Sequence, residues 1–291
     1  MGTITGSPAA KASFTTGDMI ESIGGVATRD MPLAYANMLL SGESGTTVEL
    51  SVVRTRHPEP SPVKLTRAVF PLPAVESRML ADKVGYINVD ALSAEQVKQV
   101  AGAVKQLQAD GAQKLMLDLR NCAIGSPEDG IALANLFLSK GRITYMVGQK
   151  VARQNFEADP AKAITTLPVA ILTNRGTADA AEVAAAALMD NKRAQLVGER
   201  TYGDAALRRA ITMEDGGAII LSVAKYYSPD GKAIQDVGVT PNNVVSDADA
   251  QIEVDDNGEP LPEAPGAEKG QIKKVEDDAV VKKALELLAK S

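Results

Sequence analysis

The sequence predicts an α/β protein in which a mixed-sheet core domain follows a small β-rich module. Three observations carry this. Strand-like and helix-like apolar patterns alternate from about 75 to 245, short strands broken by turn residues fill residues 1–67, and the 291-residue chain is 45% apolar, ample for two buried cores.

In the module, Gly6-Ser7-Pro8-Ala9-Ala10 and Thr15-Thr16-Gly17-Asp18 are turn chemistry. Met19-Ile20-Glu21-Ser22-Ile23 before Gly24-Gly25 reads as a strand closed by a tight turn, and Leu33 to Leu40 suits a short helix. Thr46 to Arg54 alternates Val48, Leu50 and Val52 against polar residues, a half-buried strand with Val63 to Arg67 as its partner. The single histidine, His57, stands in Arg56-His57-Pro58-Glu59-Pro60-Ser61-Pro62, which reads as a loop, so a Ser-His-Asp triad would need it to reach across from there. The runs Gly6-Ser7-Pro8-Ala9, Gly17-Asp18-Met19-Ile20 and Ile23-Gly24-Gly25 resemble a PDZ domain. The resemblance implies peptide capture by strand addition, with Ile20 and Ile23 as peptide-binding candidates. A PDZ domain's first strand and carboxylate-binding loop would lie upstream of residue 1, so the expectation is an amino-terminally truncated domain.

The core begins with Lys83 to Val89 as a strand, and Ala94 to Ala109 puts Val97, Val100, Val104 and Leu107 on one helical face. Leu115 to Leu119 and Val169 to Thr173 are nearly continuous apolar strands, as expected for strands covered on both sides. Pro127 to Leu138 and the alanine-rich stretch from Ala180 to Met189 are helices, and Ala194 to Gly198, Gly217 to Val223 and Lys225 to Tyr227 add strands. Residues 246–272 read as an acidic linker rich in Pro and Gly, and 273–291 as a closing amphipathic helix.

A net charge of -6 without a basic stripe argues against a nucleic-acid partner, and no apolar run reaches the roughly 18 residues of a membrane span. The opening Met1-Gly2-Thr3-Ile4-Thr5 lacks the basic and apolar regions of a signal peptide. One cysteine, Cys122, leaves no intrachain disulfide and reads as a small buried hydrophobe.

Across the core, Val84-Gly85-Tyr86-Ile87, Leu117-Asp118-Leu119-Arg120-Asn121, Gly176-Thr177-Ala178, Gly198-Glu199-Arg200-Thr201-Tyr202-Gly203 and Tyr226-Tyr227-Ser228-Pro229-Asp230-Gly231 occur in order, followed by Ile234-Gln235, Gly238-Val239 and Pro241. Together they resemble the carboxyl-terminal processing peptidases, or tail-specific proteases. The resemblance implies a ClpP/crotonase-like core, no cofactor, a cell-envelope or periplasmic location, and peptide or protein carboxyl-terminal segments as partners.

That family uses a serine activated by a neutral lysine. Its Gly-small-Ala-Ser-Ala-Ser-Glu run aligns with Gly176-Thr177-Ala178-Asp179-Ala180-Ala181-Glu182, so the serine position is Asp179. The lysine position, 25 residues on, is Asp204, and the place of a lysine-orienting glutamine, one helical turn further, is Arg208. The oxyanion region falls at Ile124, Gly125 and Ala180, where an Asn-Pro-Gly-Gly turn has become Asn121-Cys122-Ala123-Ile124-Gly125, and Ile124 lacks the backbone freedom of glycine. Ser126, Ser228, Lys225 and Thr177 read as turn or cap residues, with no lysine at the family's offset from a hydroxyl.

Two aspartates in one cleft predict an Asp179-Arg208-Asp204 ion cluster, with solvent-separated aspartates as the alternative and a Mg²⁺ or Ca²⁺ site, for which no third oxygen ligand is evident, as a further one. The departures at 179 and 204 predict a catalytically inactive peptide-binding or regulatory homologue; the alternatives are an active peptidase, serine-type or with Asp179 and Asp204 as an acid dyad, and a subunit that assembles with itself or an active paralogue.

Overall fold

Residues 1–73 with 210–221 form one unit, and residues 74–209 with 222–291 the other, in a computed structural model that describes residues 3–4, 6–15, 17–54, 57–213, 217–246 and 275–290. The sequence reading of an acidic linker at 246–272 therefore lies, apart from Ser246, outside the described residues.

The smaller unit starts with helix α1 (Pro8–Lys11) where turn chemistry was expected, because Ser7 Oγ accepts the Ala10 N–H and Pro8 stands at the first helical position. Its antiparallel sheet has the order β2-β1-β3-β4, from β1 (Met19–Ile23), β2 (Val26–Ala27), β3 (Thr47–Arg54) and β4 (His57–Thr66). Helix α2 (Leu33–Leu40) ends where the Arg67 guanidinium donates to the Leu39 and Leu40 carbonyls, satisfying acceptors the helix leaves open. The His57 segment is a correction: it is strand, not loop. β4 is an edge strand, and an edge tolerates prolines because one side of it needs no N–H donors.

In the larger unit, six strands run in the order β14-β11-β10-β7-β6-β5, from β5 (Glu76–Met79), β6 (Val84–Asn88), β7 (Lys114–Asp118), β10 (Val169–Thr173), β11 (Ala194–Gly198) and β14 (Asn243–Val244). All neighbours are parallel except β5 on β6, which makes the sheet mixed. Alternate residues of each buried strand feed different cores. Leu115, Leu117 and Ile171 pack under helices α3 (Ala94–Ala109), α4 (Pro127–Asn135) and α5 (Ala180–Asp190), whereas Met116, Ala170 and Leu172 pack against α6 (Ala279–Ala289) through Val280, Val281, Ala284 and Leu288.

The alanines of α5 let other backbone come close: a Cβ on Gly130 of α4 would lie 2.1 Å from the Ala180 carbonyl oxygen. A second sheet, β12-β13-β8-β9, combines β8 (Arg142–Val147), β9 (Gln154–Glu157), β12 (Ala206–Thr212) and β13 (Ala218–Tyr227). β5, β8, β9 and β12 carry no clean alternation of apolar residues and escaped the sequence reading. Among the described residues, no helix is long and apolar enough to cross a membrane.

Candidate active site

Parallel strands β7 and β10 end side by side, and the turns that follow them meet at their carboxyl ends. Asn121 takes φ +60°, its N–H donates to Asn174 Oδ1 at 3.0 Å, and Asn174 Nδ2 returns a bond to Asn121 Oδ1 at 3.1 Å. Thr177 is buried, with its hydroxyl on the Leu119 carbonyl, and the Ala178 N–H reaches the Cys122 carbonyl. Both turns are thereby fixed to each other before α5 starts.

At that start Asp179 is held at φ 51°, ψ -115°, a conformation that costs a residue with a Cβ about 1–3 kcal/mol. Glu182, one turn into α5, supplies the restraint. Its Oε2 accepts the N–H of Asp179 at 3.1 Å and of Asp204 at 2.8 Å, while Oε1 accepts the Gly203 N–H at 2.8 Å and the Thr201 hydroxyl. Burial pushes the Glu182 carboxyl upward, and these four donors oppose the shift. The sequence reading gave Glu182 no role, although Asp179-x-x-Glu182 has the spacing of a capping box.

Asp204 lies in the loop after β11, and Arg208 lies on β12 rather than one helical turn further; the guanidinium still reaches back four residues to pair with the Asp204 carboxylate. Burial first, then the Asp204 charge, raise the Asp179 carboxyl to about 7; Arg208 opposes this, and Glu182 and Glu128 add to it. The expected cluster is therefore present in part. Arg208 binds Asp204 and acts on Asp179 through space, and no ion pair joins Arg208 to Asp179 among the described residues. No three His, Cys, Asp or Glu side chains among the described residues are placed to hold a metal ion.

Ile124 needs no left-handed backbone: the positive φ angles of the turn fall on Asn121 and Gly125. The Ile124 carbonyl accepts the Leu92 N–H at 2.7 Å and its N–H faces the Cys122 thiol, so neither group is aimed at an oxyanion. Burial pushes that thiol up to about 12 and leaves it inert. Gly125 keeps its glycine for space, since a Cβ there would lie 2.8 Å from the Ala180 Cβ. The N–H groups of Gly125 and Ala180 have no protein acceptor among the described residues, which for Ala180, the first residue of α5, is the ordinary state of a helix's opening donors. Ser126 caps α4 with a reciprocal capping box through Asp129, and Ser228 occupies a turn, as their sequence settings implied.

Ile20 and Ile23 serve the core of the smaller unit. Ile23 is 2% exposed among Val48, Leu50 and Val52, and Ile20 packs against the same cluster, so the first peptide-binding candidates are mainly packing residues. Ile23 also borders an open groove of about 610 Å³ with Leu39, Leu50 and Arg67.

The family model for Peptidase family S41 matches residues 83–245, and that for the PDZ domain matches residues 3–54. A carboxyl-terminal-processing protease of Synechocystis sp. is 36% identical over 249 residues, covering 84% of this chain and 58% of the relative. The carboxy-terminal processing protease CtpA of Bacillus subtilis is 32% identical over 238 residues, covering 82% of this chain and 51% of the relative. The chain thus spans between half and three-fifths of the length of these curated relatives. A solved photosystem II D1 C-terminal processing protease superposes with a TM-score of 0.76 at 27% identity, over 88% of this chain and 70% of that one. With the family match spanning the sheet, both turns and α5, the chain belongs to peptidase family S41 and carries a PDZ domain.

Proposed function

We propose that this chain is a non-cleaving member of its family that binds extended peptide or protein carboxyl-terminal segments. The observation that carries the reading is Asp179 at the strained start of α5 with Asp204 in the facing loop, where acyl transfer would need a hydroxyl and a neutral amine. An aspartate carboxylate attacking an amide would give a mixed anhydride, and a carboxylate held by Arg208 is a far weaker base than the neutral amine that activates a hydroxyl. The strained backbone, the Glu182 contacts and the two free N–H groups leave a site shaped to receive a backbone carbonyl.

One observation favours an acid-dyad peptidase as the second reading: the Asp179 carboxyl sits near 7 beside Asp204. The Arg208 guanidinium on Asp204 opposes it, because a shared proton requires both carboxyls to titrate together. By family resemblance the setting is the cell envelope or periplasm, with a second copy or an active paralogue as assembly partner.

The test is cleavage of casein and of tail peptides at neutral and acid pH by the parent, by Asp179→Ala, and by the double variant Asp179→Ser with Asp204→Lys. The expected result is no cleavage by the parent. Parent cleavage that Asp179→Ala abolishes would overturn the reading.

A further inference from the structure

Two loops, 201–205 after β11 and 234–239, are stitched together backbone to backbone beside the candidate site. The Thr201 N–H donates to the Val239 carbonyl at 3.1 Å, the Val239 N–H to the Thr201 hydroxyl at 2.7 Å, and the Asp236 N–H to the Gly203 carbonyl at 2.8 Å. Gln235 Oε1 accepts the Ala205 N–H at 2.9 Å. The approach demands glycine on both sides. A Cβ on Gly203 would lie 2.9 Å from the Gly238 nitrogen and 3.1 Å from that of Val237, and a Cβ on Gly238 would lie 2.4 Å from the Thr201 carbonyl oxygen. Asp236 holds φ 68°, a conformation that costs a residue with a Cβ. Glu182 pins the first loop to α5 through Thr201 and Gly203, and the Tyr202 N–H donates to the Thr177 carbonyl at 2.9 Å, two residues before Asp179. Out of this fixed frame two large apolar side chains stand open: Tyr202 is 53% exposed and Val237 52%. A ring whose backbone is already immobilised offers contact area at low entropic cost.

We propose that Tyr202 and Val237 form a subsite for one large apolar or aromatic side chain of an extended peptide, and so select which segment the site accepts. The proposal rests on the peptide-binding reading above and names the side chain that reading selects. Size points to a single residue. Two half-open side chains offer on the order of 100 Å² of apolar surface, enough for one Leu or Phe and far below the roughly 800 Å² per partner of a stable protein interface. Position points to the peptide: the Tyr202 backbone is bonded to Thr177 on one side and Asp204 follows two residues later, so a chain lying across positions 179 and 204 has the ring beside it. Charge points to an apolar guest. Asp236 in the second loop is matched by Lys225 at 2.7 Å and Asp204 in the first by Arg208, so Tyr202 and Val237 present a contact face rather than a counter-charge.

Fluorescence polarisation with the full chain tests it. The probes are fluorescein-labelled hexapeptides of alanine and serine in which a single phenylalanine is moved through every position, with serine at the same position as the reference. At one position phenylalanine should bind about tenfold tighter than serine. Tyr202→Ala and Val237→Ser should each cut that preference to about threefold or less, whereas Tyr202→Phe should keep it. Unfolding midpoints should stay unchanged, because both side chains are open to solvent. The preference, a ratio of two affinities, is the readout that a purely structural role of Tyr202 would not move. If Tyr202→Ala does not fold, Tyr202→Gln takes its place. Equal binding of phenylalanine and serine probes at every position, or a phenylalanine preference that survives the Tyr202 variant, overturns the subsite and leaves peptide binding standing. Failure of every probe to bind overturns both.

Discussion

Asp204 and Asp179 hang from one oxygen of a third residue: Glu182 Oε2 accepts both backbone N–H groups, at 2.8 and 3.1 Å. The two positions that the family alignment pairs are thus tied by backbone geometry, whatever side chains they carry. Removing the carboxylate leaves four donors unsatisfied around a buried centre. Glu182→Ala should cost about 3–5 kcal/mol in urea unfolding and Glu182→Gln about 1–3 kcal/mol, since the amide oxygen accepts while its NH₂ faces other donors. A loss below ~1 kcal/mol for Glu182→Ala would contradict this role.

Asp179 sets a pH dependence. Its carboxyl is near 7 in the fold and about 3.9 in the unfolded chain, so between these values the unfolded chain has already released the proton that the fold retains. Stability from this group is therefore full below pH ~4 and lost as pH rises towards 7, and the raised Glu182 acts in the same sense. Asp179→Asn should flatten this slope and exceed the parent by about 1–2 kcal/mol at pH ~8, less than the full linkage because Asp179 is partly open to screening solvent. Urea midpoints across that range are the measurement, and a parent that gains stability with pH over this interval contradicts it.

Two glycines should respond in opposite directions. A Cβ on Gly130 meets the Ala180 carbonyl oxygen at 2.1 Å, backbone that cannot step aside without separating α4 from α5, so Gly130→Ala should cost about 2–4 kcal/mol. Gly102 is exposed in the middle of α3 with nothing within 4 Å of the added Cβ, and Gly102→Ala should add about 0.5–1 kcal/mol. Thermal unfolding of the pair decides both.

Helix α6 depends on one ion pair at its start. Asp278 Oδ1 accepts the Val280 and Val281 N–H groups at 2.7 and 3.1 Å, and Oδ2 meets Arg120 Nη1 at 2.5 Å, while Arg120 also forks onto buried Asp118. Burial would raise the Asp278 carboxyl, yet the hydrogen bond and charge of Arg120 hold it below the usual range. Asp278→Ala should cost about 2–3 kcal/mol through the lost cap and the half-freed guanidinium. Hydrogen exchange should accelerate in α6 well before the α3 to α5 layer.

The parallel strands and their helices were legible because their signals are local and redundant: Leu115 to Leu119 is apolar on both faces, and Ala94 to Ala109 repeats at helical spacing. β12 was not, because Arg208 and Arg209 give it no apolar stripe. The prolines around His57 spoke for a loop because sequence does not say which strand is an edge. Positions 179 and 204 were expected together from motif and spacing, whereas the hold of Glu182 on both comes from a chain crossing 22 residues apart, which no local pattern encodes.

Arg208 should be felt at Asp179 without touching it. Its guanidinium pairs with Asp204 and, through space, lowers the Asp179 carboxyl against the upward push of burial and of Asp204. Arg208→Gln removes that cation and leaves the Asp204 charge uncompensated, so the Asp179 midpoint should move upward, by about one pKa unit for a charge at this partly screened distance. Carboxyl carbon NMR titration of Asp179 in the parent and in Arg208→Gln reads the shift directly. A downward movement would mean that the Asp204 charge reaches Asp179 only weakly, and that the arginine serves β12 instead of the site.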